Sequence, residues 1–150
     1  MHRALALAFA LLVAGPAVAQ DKLVTKPSPH SVKVTMDKLV AALESKGVKP
    51  ALRVDHAAAA RANGLELKPT EVVFFGNPKL GTPLMQARRS SAIDLPMRVL
   101  AWEDDKGKTW IAYTAPQTLK TRHRIKGKGQ DEALRAMAGA LDTFTKAATE

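Results

Sequence analysis

Pro96-Met97-Arg98-Val99-Leu100-Ala101-Trp102-Glu103-Asp104-Asp105-Lys106-Gly107-Lys108-Thr109-Trp110-Ile111-Ala112-Tyr113-Thr114 reads as two strands and the turn between them. Met97, Val99 and Ala101 alternate with Arg98, Leu100 and Trp102, the period of a β-strand. Asp104 to Gly107 is a hairpin loop. From Lys108 the chain returns, with Trp110, Ala112 and Thr114 alternating with Ile111 and Tyr113. A tight turn between two such runs forces antiparallel pairing, so the sheet has a covered face and a second face of different character.

Upstream, Val72-Val73-Phe74-Phe75 is a continuous apolar run, the pattern of a strand buried on both faces. Pro50 to His56 alternates as a half-buried strand, and Leu23-Val24-Thr25 is a short β-like run that ends near Pro27. Leu65-Glu66-Leu67 reads as a further short extended piece. Two stretches have the helical period. Val32, Met36, Leu39, Val40 and Leu43 share one face, with Ser31 or Thr35 as the cap and Gly47 as the stop. Leu134, Met137, Ala138, Leu141 and Phe144 share another. Shorter helical turns are expected at Ala57–Ala62, after Asn77-Pro78, again at Thr82-Pro83, and from Pro116 to His123. Arg124 to Gly129 reads as a basic loop. The order is β-α-β(4)-α. It predicts an α+β fold, an antiparallel sheet with two long helices packed on one face.

The chain begins Met-His-Arg, followed by an apolar run from Ala4 to Ala14 and by Ala17-Val18-Ala19 before Gln20. This is the layout of a secretory signal peptide, with cleavage expected near Ala19-Gln20. The run is shorter than the ~20 residues a membrane-spanning helix needs. Residues 1–19 therefore read as a leader, and residues 20–150 as one domain in the periplasm or outside the cell, with no transmembrane segment in the mature chain. The whole chain has 23 Lys and Arg against 14 Asp and Glu, a net charge of +9. Loss of Arg3 with the leader leaves +8. Such a balance favours anionic small molecules or envelope components as partners, and export argues for no nucleic acid among them. There is no cysteine, which removes disulfides, thiolate catalysis and cysteine-ligated metals.

Several ordered blocks carry a family resemblance. They are Arg53-Val54-Asp55-His56, the run from Phe75 to Gln86, the run from Ile93 to Asp104, and Arg122-His123. Over roughly residues 22 to 148 the chain resembles the exported branch of the domain-of-unknown-function family 302. The resemblance implies a β-α-β-β-β-β-α arrangement of TATA-binding-protein-like architecture, and homodimers among its members. It implies no catalytic residue. The basic stretch Arg124–Lys128 departs from the short neutral loop typical of relatives.

Three histidines remain after the leader, His30, His56 and His123, each at the end of an element. Together they are a candidate metal set, with Met85 or Met97 as an added thioether for Cu(I). The alternative is three separate histidines, since no pair has ligand spacing. Helix starts at Asn77-Pro78 and Thr82-Pro83 present unpaired N–H groups, with Lys79 nearby, and suit a carboxylate or phosphate. The alternative is that these residues only cap and turn the chain. Trp102 and Tyr113 are candidates to line an apolar pocket, or else pack under helices. No serine-hydrolase, P-loop, zincin or dinucleotide motif is present. The expected function is a non-enzymatic ligand- or partner-binding module. Its candidate site is His56, Asn77, Lys79, Thr82, Gln86 and His123. The alternative is an enzyme acting on a small anionic substrate, metal-dependent or using histidine as acid and base.

Overall fold

The computed structural model describes residues 22–150. The leader and its cleavage point near Ala19-Gln20 lie outside the described residues. Five strands form one antiparallel sheet in the order β1-β5-β4-β3-β2. They are β1 (Leu23–Ser28), β2 (Leu52–Asp55), β3 (Thr70–Phe75), β4 (Met97–Glu103) and β5 (Thr109–Thr114). Helix α1 (Val32–Ser45) links the two edge strands β1 and β2, and α2 (His56–Ala62) follows β2. Helix α3 (Pro78–Ala87) and a 3-10 helix (Arg89–Asp94) link β3 to β4, while α4 (Gln117–Arg122) and α5 (Lys128–Thr149) follow β5.

Register explains the covered face. Val73 lies opposite Val99, and Val99 opposite Tyr113, which pairs with Val24. Opposed residues share a face, so Val73, Phe75, Met97, Val99, Ala101, Ile111 and Tyr113 point one way. Met36, Leu39 and Leu43 of α1, with Leu141, Phe144 and Ala148 of α5, bury them in one apolar cluster. Both long helices therefore sit on one face, as the alternation predicts. Trp102 is opposite Trp110 on the other face. Trp102 and Tyr113 thus cannot line one pocket: their positions in the register differ by an odd number of residues. On the open face Leu52, Phe74, Arg98, Thr114 and Leu23 form one row across all five strands, and Leu52 and Leu23 are exposed.

Local chemistry places the ends. The Val34 N–H donates to Ser31 Oγ, so Ser31, not Thr35, caps α1. Thr35 is buried and shares a 2.7 Å hydrogen bond with Ser28 Oγ. Pro27 stays within β1 because an edge strand leaves its missing N–H unneeded. Asp55 ends β2 early by capping α2 at the Ala58 N–H. His56 therefore opens a helix instead of ending a strand. Leu65 and Leu67 are exposed and belong to no strand.

Each edge of the covered face is closed by a cation. Arg53 of β2 donates through Nη1 to Asp37 of α1 at 2.6 Å and through Nε to Glu71 at 2.7 Å. Lys26 of β1 reaches Asp142 of α5 at 2.7 Å and Thr145 Oγ1 at 2.9 Å. Lys33, then Arg53, hold the Asp37 carboxyl below the usual range, and Lys26 does the same for Asp142. Trp110 Nε1 and then the Lys108 N–H lower Asp104 in the hairpin. A carboxyl lowered by folding adds stability above its unfolded pKa of ~3.9, and that stability is lost as pH falls through the folded value. Thermal melts at low salt are therefore expected to steepen in their decline below about pH 4. The double variant Asp37→Asn, Asp142→Asn should flatten that decline, and an unchanged slope would contradict these assignments.

Candidate functional site

A concavity lies where β3 ends and β4 begins. It is a cavity of about 500 Å³ between the loop after α1, helix α3, the 3-10 helix, α5 and the sheet. Its walls are apolar: Phe75 and Met97 from the sheet, Met85 from α3, Leu95, and Met137 and Phe144 from α5. This volume is in the range of small-molecule sites. Methionine side chains give such walls an adaptable shape. Polar groups stand only toward the rim, from Lys49, Asn77 and Thr82.

The chain builds this site from a sharp connection. Gly76 passes Pro96 so closely that a Cβ there would stand 3.1 Å from the proline Cβ. Asn77 then caps α3, its Oδ1 accepting the Lys79 N–H at 2.9 Å. The sequence predicts two successive helix starts, but one continuous helix runs from Pro78 to Ala87 with Pro83 inside it. The hydrogen bond that Pro83 lacks would have gone to the carbonyl of Lys79, an exposed residue, where water can replace it. Thr82 is thus a helix-interior residue and caps nothing. Gly81 is buried on α3, with room beside Leu95 and Met85.

The predicted residues separate into three groups. Asn77 and Thr82 line the cavity, whereas Lys79 and Gln86 are exposed on α3 outside its lining. His123 lies at the same end of the sheet but in a different cluster, bonded to Asp94 and Ser90. His56 follows Asp55, which pairs with Glu71 at the far end of the sheet. His30 also lies at that far end, beyond Ser28, on the opposite edge strand. Four strand spacings, ~19 Å, separate those edges. The three histidines therefore do not converge. Among the described residues no group of three or more His, Cys, Asp or Glu is placed to hold a metal. His30 Nε2 is buried without a hydrogen-bond partner among the described residues.

The cluster around His123 was not legible from spacing. Its Nε2 stands 2.6 Å from Asp94 Oδ2, and its Nδ1 stands 3.0 Å from Ser90 Oγ. Arg122 Nη1 donates to the other Asp94 oxygen at 2.6 Å. The His123 and Asp94 side chains are 7% and 9% exposed, so the pair is screened from water. Asp94 precedes β4 and His123 ends α4, so the contact joins the two sides of this corner.

Residues 24–144 match the family model described as Domain of unknown function DUF302. The chain belongs to that family. A crystal structure described as an uncharacterized conserved DUF302 protein from Bacillus stearothermophilus has a similar fold, at a TM-score of 0.65 and 17% identity. The match covers 85% of this chain and 94% of that one. Among curated proteins the DUF302 chain is 44% identical over 129 residues to "Fluoride-specific ion channel FluC 1" of Brucella suis biovar 1 (strain 1330). It matches "Fluoride-specific ion channel FluC 2" of Brucella melitensis biotype 1 equally, again at 44% over 129 residues. The alignments cover 86% of this chain but only 50% and 47% of those proteins. The chain spans about half the length of the curated relatives it matches. Among the described residues no helix is long and apolar enough to cross a membrane.

Asn77 holds the corner that forms the cavity rim. Asn77→Ala is expected to lower stability by about 1 kcal/mol, read in urea titrations, because one N–H of α3 loses its acceptor. An unchanged midpoint would show that the cap does not anchor this corner.

Proposed function

We propose that this DUF302 domain is a binding module of the periplasm that takes an elongated, mainly apolar molecule into the cavity between α3, α5 and the end of the sheet. The cavity itself carries the reading: it has apolar walls, an adaptable methionine lining and the volume of a small-molecule site. Lys49, Asn77 and Thr82 at the rim suit a single polar or anionic end group on that molecule. The anionic character expected from the net charge thus belongs to one end of the ligand and not to its body. The leader-like start of the sequence supports the compartment.

Fluoride, suggested by the name of the Brucella relatives, is a poor occupant for this cavity. A small, strongly hydrated anion loses its water on entry, and apolar walls return no hydrogen bonds. Fluoride conduction is a property to be sought in those longer proteins.

Dodecanoate below its micelle concentration is a suitable probe. At saturation the melting temperature is expected to rise by about 5 °C or more, since a ligand at 100 times its Kd adds ~2.7 kcal/mol. Gly81→Leu, which projects into the cavity, should remove the response. A shift with sodium phosphate and none with dodecanoate would overturn the reading.

A second reading concerns the open face of the sheet. Leu52 is 53% exposed and Leu23 57%, and they share a row with Phe74. We propose this face as the contact of a homodimer, because burial of exposed apolar side chains favours association. Light scattering should give twice the monomer mass, and Leu52→Asp should halve it. A monomer at the highest soluble concentration would rule this out.

A further inference from the structure

The 3-10 helix has about three residues per turn, so its side chains stack in three rows. One row, Ala92 with Leu95 just beyond the helix, lines the cavity. Another, Ser91 with Asp94, turns inward: Ser91 is fully buried and donates to the Arg88 carbonyl at 2.8 Å. The third row, Ser90 with Ile93, faces solvent. Ser90 is exposed, and Ile93 is 80% exposed, the highest value among the exposed large hydrophobic residues that the structure describes.

Ser90 Oγ, His123 and Asp94 form a line. An ionised carboxylate only accepts hydrogen bonds, so the 2.6 Å contact places the imidazole proton on Nε2, toward Asp94. In the neutral ring Nδ1 then carries the lone pair. It faces the Ser90 hydroxyl at 3.0 Å, and that hydroxyl donates to it. Asp94, His123 and Arg122 pin the 3-10 helix to α4. The Ser90 hydroxyl satisfies the remaining nitrogen of the screened imidazole and at the same time faces solvent, where a substrate can reach it. The arrangement has the parts that activate a serine: an exposed nucleophile, a base within hydrogen-bond reach, and a charged group that fixes the base's tautomer. Ser90 and Asp94 share the 3-10 helix, but His123 lies 33 and 29 positions further on, which is why no motif announces the three together.

We propose that Ser90 is a nucleophile for acyl transfer, with His123 as its general base and Asp94 as the positioning residue. The proposal is independent of what fills the cavity. The substrate class is a small ester whose apolar acyl group lies on Ile93. Negative charge elsewhere on the substrate is favoured by the exposed Arg89 next in sequence. Ser90 Oγ bonds to the carbonyl carbon as its proton passes to His123 Nδ1. The ester C–O bond then breaks, and the departing alkoxide takes that proton and leaves as the alcohol. Water, giving its proton to the same nitrogen, attacks the acyl-serine. Collapse of that adduct returns the proton to Ser90 Oγ and frees the acid. One ester and one water become one acid and one alcohol, while Asp94 stays ionised.

A fluorophosphonate probe tests this in the purified chain, with the modified serine located by peptide mass spectrometry. Ser90 is expected to be labelled at least about tenfold faster than Ser45, an exposed serine of α1 without an imidazole partner, since general-base help is worth ~10²–10⁴. Both serines are read in one wild-type sample, so the comparison does not depend on a variant folding. Asp94→Asn should slow labelling at Ser90 and leave Ser45 unchanged. Ser90→Ala should keep the melting temperature and abolish hydrolysis of 4-nitrophenyl acetate above the buffer rate. Equal labelling of Ser90 and Ser45, or hydrolysis unaffected by Ser90→Ala, would overturn the proposal.

Discussion

The alternating side chains of β3, β4 and β5 set the terms for the whole molecule. Their apolar row, from Phe75 across Met97 and Val99 to Tyr113, must be covered, because burial of such surface is the main favourable term in folding. α1 and α5 supply the cover. Where the apolar row runs out at the edge strands, polar clamps take over. Arg53 ties β2 to α1, and Lys26 ties β1 to α5. Each clamp adds a polar tie between an edge strand and the helix above it.

The roof is longer than the surface it covers. α5 has 22 residues, ~33 Å of helix, while the central strands have 6 or 7 residues, ~20 Å. The overhanging start of α5 leaves the sheet and packs instead against α3 and α4. It forms a second apolar cluster with Leu84, Leu119, Ile125, Leu134 and Met137. Leu95 packs against both clusters. The cavity sits at this seam, bounded by Phe75 and Phe144 from one core and Leu80 and Met137 from the other. A concavity there follows from joining two cores of different orientation with a short corner. The 3-10 helix edges that corner, presenting Ala92 to the cavity and Ser90 to solvent.

Local patterns carried much of this into the sequence. Residues Pro96 to Thr114 announce the hairpin, and the helical periods at Val32–Leu43 and Leu134–Phe144 announce the two covering helices. Ser31, Asp104 and Asn77 act where their chemistry says they should. The misreadings have specific causes. Thr82-Pro83 has the form of a helix start, yet α3 runs through it because the carbonyl left unpaired belongs to the exposed Lys79. Asp55 ends β2 by capping α2, which moves His56 out of the strand. Arg88 to Asp94 has neither period, because a 3-10 helix of two turns repeats too few times to leave one. Trp102 and Tyr113 looked like neighbours until the register placed them on opposite faces.

The alternation of strands, the periods of helices and the residues that cap them depend on contacts within a few positions, and the chain by itself determined those. Which distant side chains meet depends on strand order and on which end of the sheet each connection leaves from. That order puts His30 and His56 at one end on opposite edges, and His123 at the other beside Asp94 and Ser90. The volume left between two packed cores likewise has no local signature, since it depends on the shapes of five segments at once. The cavity and the Ser90–His123–Asp94 line were therefore decided by the tertiary structure alone.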